Sequence, residues 1–122
     1  MGKIYNSITP QLSEWIGRQK IFFVSTAPLN GEGHINCSPK GLDSFRILST
    51  DQVAYQDLTG SGVETIAHVK ENGRMVIMFC AFDGPPRIVR FHGKANVITP
   101  EMPEFIEMDR LFPHRAGTRA YI

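Results

Sequence analysis

The stretch that most restricts how this chain can fold is Asp83-Gly84-Pro85-Pro86, a turn between the apolar run Met75 to Phe82 and the extended run Arg87 to Val97. Neighbouring strands joined so tightly must lie antiparallel, because a parallel crossover needs about a dozen residues or more. The same logic holds upstream. Ile21 to Ala27 is β-branched and aromatic, Pro28 to Gly33 is dense in turn formers, and His34 to Ser38 follows as a return strand. After the loop Pro39-Lys40-Gly41, two more extended segments, Phe45 to Leu48 and Val53 to Leu58, flank the turn-like Ser49 to Gln52.

Helical signals are few. Thr9-Pro10 offers a cap and a proline suited to a first helical position, and Leu12, Trp15 and Ile16 then share a face as far as Gly17. Val63, Ile66, Ala67 and Val69 give the apolar face of a second helix, Val63 to Glu71, stopped by Asn72-Gly73. Thr99-Pro100 opens a third, running to about Phe112, with Met102, Phe105, Ile106 and Met108 as its apolar contacts and Pro103 in its first turn. Gly117 to Ile122 reads as the opening of one more strand, which suggests a natural domain continuing past Ile122. Six or seven strands with antiparallel joins predict a mainly β barrel with helices at its ends, and the missing βαβ alternation argues against a dinucleotide-binding fold.

The chain has 122 residues, enough for one hydrophobic core and hard to divide between two, so a single domain over 1–122 is expected. A net charge of +1 is too small for a general nucleic-acid binder. No apolar run is long enough to span a membrane, and the first residues lack the apolar core of a signal peptide, so a cytoplasmic protein is expected. Cys37 and Cys80 lie in apolar or alternating runs, where free cysteines behave as small buried hydrophobes, and no zinc-site spacing joins them to His34, His68, His92 or His114.

The chemistry concentrates in Asp57-Leu58-Thr59-Gly60-Ser61-Gly62, where a strand feeds a glycine-rich turn that opens a helix. Such a helix start offers unpaired backbone N–H groups and a positive dipole end to an anion. Thr59, Ser61 and Thr65 add hydroxyls. There is no Gly-Lys-Ser/Thr of a nucleotide-binding loop, and the same pattern equally serves a capped helix without a ligand. Asn36 to Gly41 places polar groups and Lys40 at a strand end, where the lysine either reaches a phosphate or is simply solvated. Arg87, Arg90, His92 and Lys94 crowd one strand with cations, which suits either a ligand-facing surface or an edge strand protected by charge. No Gly-x-Ser-x-Gly elbow and no paired carboxylates point to hydrolysis, and no catalytic acid or base stands out.

Together, His34-Ile35-Asn36-Cys37-Ser38-Pro39-Lys40-Gly41, Val53 to Gly62, Glu64-Thr65, Glu71-Asn72-Gly73-Arg74 and Phe82 to Arg90 resemble the pyridoxamine 5'-phosphate oxidase-like family of flavin-binding split barrels. The likeness spans about Phe22 to Val97. It implies a six-stranded antiparallel split barrel of Greek-key type with a few short flanking helices, and a homodimer holding FMN between protomers. It also implies an oxidoreductase acting on an unidentified small substrate or reductant. Carried onto this chain, Asn36, Ser38, Lys40 and Gly41 would pass along the flavin. Asp57, Leu58, Thr59, Gly60, Ser61, Gly62, Glu64 and Thr65 would hold ribityl and phosphate, while Lys40 or Arg87 would steady the reduced ring. Thr65→Val is then expected to weaken FMN binding by roughly 1 to 2 kcal/mol with little loss of stability. The departures are Glu64-Thr65, where the oxidases carry Arg-Lys, and the absence of their C-terminal Trp and Arg before Ile122. They favour an uncharacterised branch of the family and leave open a non-catalytic flavin store, or a heme or deazaflavin binder on the same fold.

Overall fold

The structure is a computed structural model describing residues 2–60 and 63–122. Its elements run α1 (Pro10–Gly17), β1 (Phe22–Thr26), β2 (Asn36–Lys40), β3 (Phe45–Ile47), β4 (Val53–Leu58), α2 (Val63–Asn72), β5 (Arg74–Cys80), β6 (Ile88–Lys94), α3 (Glu104–Asp109) and β7 (Thr118–Tyr121). The strands form two sheets, ordered β2-β1-β5-β6 and β3-β4-β7. Every strand pairing is antiparallel, and β5 and β6 pair from Arg74↔Lys94 to Cys80↔Ile88 around the turn that the sequence marks.

Strand alternation places the core. Phe22 and Val24 of β1 and Met75, Ile77 and Phe79 of β5 point from the larger sheet onto Tyr55 of β4 and Ile122. Phe22 and Phe45 both pack against Phe79, with ring centroids 5.4 and 4.9 Å away. Leu12, Trp15 and Ile16 bury the inner face of α1, whose first turn is held by the Leu12 N–H donating to Thr9 Oγ1 at 3.2 Å. The other face of β4 carries a second cluster, in which Ala54 meets Tyr121 and Phe112, with Phe105 and Met108 packed alongside. Gln56 shares that face and donates to the Pro113 carbonyl, while Tyr121 Oη donates to Asp109.

Several expectations are corrected by the packing. Instead of a six-stranded barrel there are seven strands in two sheets, which do not close into a barrel among the described residues. The seventh is β7, the strand that Gly117 to Ile122 was expected to open, tied to β4 because Tyr55 and Ile122 exchange both backbone hydrogen bonds, at 2.9 and 3.0 Å. β2 runs on through Pro39 and Lys40, where a loop was expected; Pro39 pairs with Phe23 and is tolerated because β2 is an edge strand. In α2 the buried side chains are Thr65, His68 and Val69, whereas Val63 is 58% exposed and Ala67 is exposed. Cys37 is exposed and Cys80 half-buried, both as free thiols, because Cys37 projects from the outer face of an edge strand. β6 is the other edge of its sheet, and its Arg90, His92 and Lys94 are exposed, as the edge-protection reading expects.

Candidate ligand-binding groove

The edge strand β2 separates two open depressions that meet at Pro39. One, of about 290 Å³, is lined by His34 to Pro39 and Glu64; the other, of about 310 Å³, by Pro39 to Leu42, Ser44, Gln56 and Leu58 to Gly60. Each lies at the small end of the range for ligand pockets, so one protomer presents a wall of a site. β4 delivers the chain to this groove and Gly60 turns it away with φ +138°, a conformation that L side chains rarely adopt. The hinge is tied down by the Thr59 N–H donating to the Gly117 carbonyl at 2.8 Å. Ser61 and Gly62, expected at the phosphate end, lie outside the described residues; α2 begins at Val63, directly after them.

A buried polar chain fixes α2 to the groove. Asn36 Nδ2 donates to Thr65 Oγ1 at 2.7 Å and lies 3.3 Å from Thr26 Oγ1, while Ser38 Oγ donates to Asn36 Oδ1 at 2.9 Å. Thr26 Oγ1 and His68 Nδ1 are 2.9 Å apart, completing the link from β2 through β1 to the helix. Thr65 is wholly buried, so its hydroxyl serves this internal chain within the protomer. Interior alternation along β1 forces Thr26 inward behind Phe22 and Val24, and an inward hydroxyl needs a partner. Thr65 and His68 provide the helical side of that arrangement.

The electrostatic centre is Asp57, which is wholly buried. Its Oδ1 lies 3.4 Å from Lys40 Nζ and its Oδ2 accepts from Arg119 Nε at 2.7 Å. The two cations retain side-chain exposures of 14% and 22%. In a regular strand Arg119 would share the face of Tyr121. The register of β4 against β7 shifts between Asp57 and Leu58, and this irregularity brings the guanidinium to the carboxylate. The hydrogen bond to Asp57 holds the Arg119 pKa above its ordinary value, against the opposing effect of burial. Burial, reinforced by the Asp57 charge, pushes the Tyr55 hydroxyl well above the usual phenol range. Tyr55 Oη and Arg119 Nη2 are buried without a partner among the described residues.

Most of the expected site residues are therefore brought together, in different roles. Asn36, Ser38, Lys40, Gly41, Leu58, Thr59, Gly60 and Glu64 line the two depressions, while Asp57 and Thr65 sit beneath them as buried partners of Lys40 and Asn36. Arg87 lines neither depression; its guanidinium lies 5.0 Å from the Trp15 ring centroid, over α1. Sequence reasoning misses Arg119, Thr26 and His68. The available signals were an inward-facing threonine in β1 and an arginine in a strand otherwise ending in Ala120-Tyr121-Ile122.

Two antiparallel sheets with three short helices make the chain mainly β, the coarse class expected from the sequence. The pyridoxamine 5'-phosphate oxidase family model matches residues 8–120. The chain is 52% identical over 103 residues to the pyridoxamine 5'-phosphate oxidase family protein ustO of Aspergillus flavus, an alignment covering 83% of this chain and 41% of that protein. The chain thus belongs to the pyridoxamine 5'-phosphate oxidase family and spans about two fifths of the length of this curated relative. In fold it is similar to HupZ of Group A Streptococcus, whose 1.70 Å crystal structure superposes with a TM-score of 0.69 at 23% identity, covering 93% of this chain and 85% of the other. A single-substitution variant of HupZ superposes with a TM-score of 0.68, over 93% and 90% of the two chains. Among the described residues no helix is long and apolar enough to cross a membrane.

Proposed function

We propose that this chain is the FMN-binding part of an FMN-dependent oxidoreductase acting on a small molecule, with the cofactor along β2 and its phosphate at the start of α2. The observation that carries this reading is the placement of Lys40 and the Gly60 hinge on one open groove. The donor set suits a flat, anionic cofactor. Lys40 supplies positive charge, and the start of α2 supplies main-chain N–H groups. A Cβ at Gly60 would meet nothing within 4 Å, so the hinge leaves open space beside the groove. Exposed Ile35 and Pro39 give the wall its apolar part.

Bound there, the flavin would supply the hydride or electron transfer. The chain's own residues would orient and shield it. Lys40 would stabilise negative charge, and the Asn36 amide, locked by Thr65, would present a fixed edge. Glu64 opposes an anion and has to be turned away or paired. The shallow groove favours a homodimer in which a second copy forms the other wall, and Arg87, remote in its own protomer, is a candidate contribution from that copy.

The test is the visible spectrum of the purified protein followed by FMN titration of the flavin-free form. A flavin spectrum and one tightly held FMN per chain support the reading. A colourless protein that fails to bind added FMN refutes it, and a heme or deazaflavin spectrum redirects it to another cofactor. Turnover with NADH, NADPH or pyridoxamine phosphate separates an enzyme from a flavin store.

A further inference from the structure

We infer that Arg119, on the irregular stretch of β7, is a positioning residue for the groove: by sharing Asp57 with Lys40 and holding it more closely, it leaves surplus positive charge at Lys40 for an anionic ligand. This rests on the proposed flavin site and extends it to a strand that the sequence did not connect with the ligand.

Charge and distance carry the inference. Among the described residues, Lys40 and Arg119 are the two cations paired with the wholly buried Asp57, so the cluster has one surplus positive charge. Distance decides which cation holds the carboxylate. Arg119 Nε donates to Oδ2 in a normal charge-assisted hydrogen bond at 2.7 Å, whereas Lys40 Nζ donates to Oδ1 over a longer 3.4 Å and is the more weakly held of the two. Lys40 is also the member that lines the groove. Its Nζ lies 5.9 Å from the Tyr55 ring centroid, so the stem runs over the core while the charge stays near the opening. Without the guanidinium, Asp57 would have only Lys40 to offset its charge. A buried carboxylate with one cation would draw that cation onto itself, because an unpaired buried charge is costly. The groove would then lose its surplus positive charge although Lys40 itself is unchanged.

Neutralising Arg119 should therefore mimic loss of Lys40, and removing the Asp57 charge as well should reverse the effect. A role for Arg119 confined to packing would not produce that reversal. The experiment compares wild type, Arg119→Met, Arg119→Gln and the double variant Asp57→Asn/Arg119→Met, each checked for folding by thermal melting. Arg119→Gln keeps an N–H donor for Asp57 and takes the place of methionine in both arms should the methionine variants fail to fold.

The first arm measures FMN dissociation constants across a salt series. The single variants are expected to bind about tenfold more weakly and with a flatter salt dependence, and the double variant to return to within about threefold of wild type. The second arm needs no ligand. Acetic anhydride labelling of Lys40 in flavin-free protein, read by peptide mass spectrometry, should slow in the single variants and recover in the double. Single variants that bind and label like wild type, or a folded double variant with no recovery in either arm, overturn the inference. Failure of wild type to bind FMN removes the flavin reading alone, since the labelling arm still decides the role of Arg119.

Discussion

Replacing Thr65 by valine tests how the groove is built. The substitution keeps shape and volume and removes one hydroxyl from a wholly buried position. Asn36 Nδ2 then loses its 2.7 Å acceptor and retains only Thr26 Oγ1 at 3.3 Å. A buried donor left unsatisfied costs about 1 to 3 kcal/mol, and because Asn36 is half-buried and keeps a long contact this case falls in the lower part, about 1 to 2 kcal/mol. At this chain length each kcal/mol corresponds to roughly 4 °C, so the melting temperature of the flavin-free protein should fall by roughly 4 to 8 °C. The sequence alone expected little loss of stability from this change; the burial of Thr65 is what revises it. The assay is a double-mutant cycle by thermal and urea unfolding with Asn36→Ala as the second substitution. Once the amide is absent, Thr65→Val should cost markedly less than it does alone. Equal costs in both backgrounds, or an unchanged melting temperature for the single variant, would refute the idea that this bond pins α2 to β2.

Further consequences follow from the same groove. Asp57→Asn alone leaves Lys40 and Arg119 facing each other without an anion and should cost about 3 kcal/mol, read from urea midpoints. Tyr55 keeps its proton more strongly when folded than its ordinary 10.0, so its contribution to stability is complete below that pH and declines as pH rises above it. Melting temperatures should therefore drop at alkaline pH, less steeply in Tyr55→Phe, which should cost little at neutral pH because Tyr55 Oη has no partner among the described residues. Gly60→Ala places a Cβ in open space at φ +138°, so its cost, about 1 to 2 kcal/mol by thermal melting, should be purely conformational.

How much of this was legible depended on whether the determining forces were local. The boundaries of β4, Val53–Leu58, and the turn between β5 and β6 follow from residue propensities and turn chemistry, and they match the structure. The register of Pro39 against Phe23 was hidden because it requires knowing that β2 is an edge. The buried face of α2 was misjudged because apolar periodicity favoured Val63 and Ala67, while remote hydroxyl and amide partners on β1 and β2 select Thr65 and His68 instead. Arg119 was hidden for a related reason: its direction is set by a pairing irregularity between two strands separated by about half the chain. Lys40 and Gly60, which line the same depression, were legible because strand ends and glycine hinges leave a local mark.

The central claim, a flavin held on the β2 groove by Lys40 and the hinge, is tested most directly by the FMN dissociation constant of flavin-free protein, measured for wild type and Lys40→Met. Tight one-to-one binding by wild type and a loss of about tenfold or more in the variant, with the melting temperature retained, is the predicted result. Equal affinity in the two proteins, or no binding by either, would contradict it.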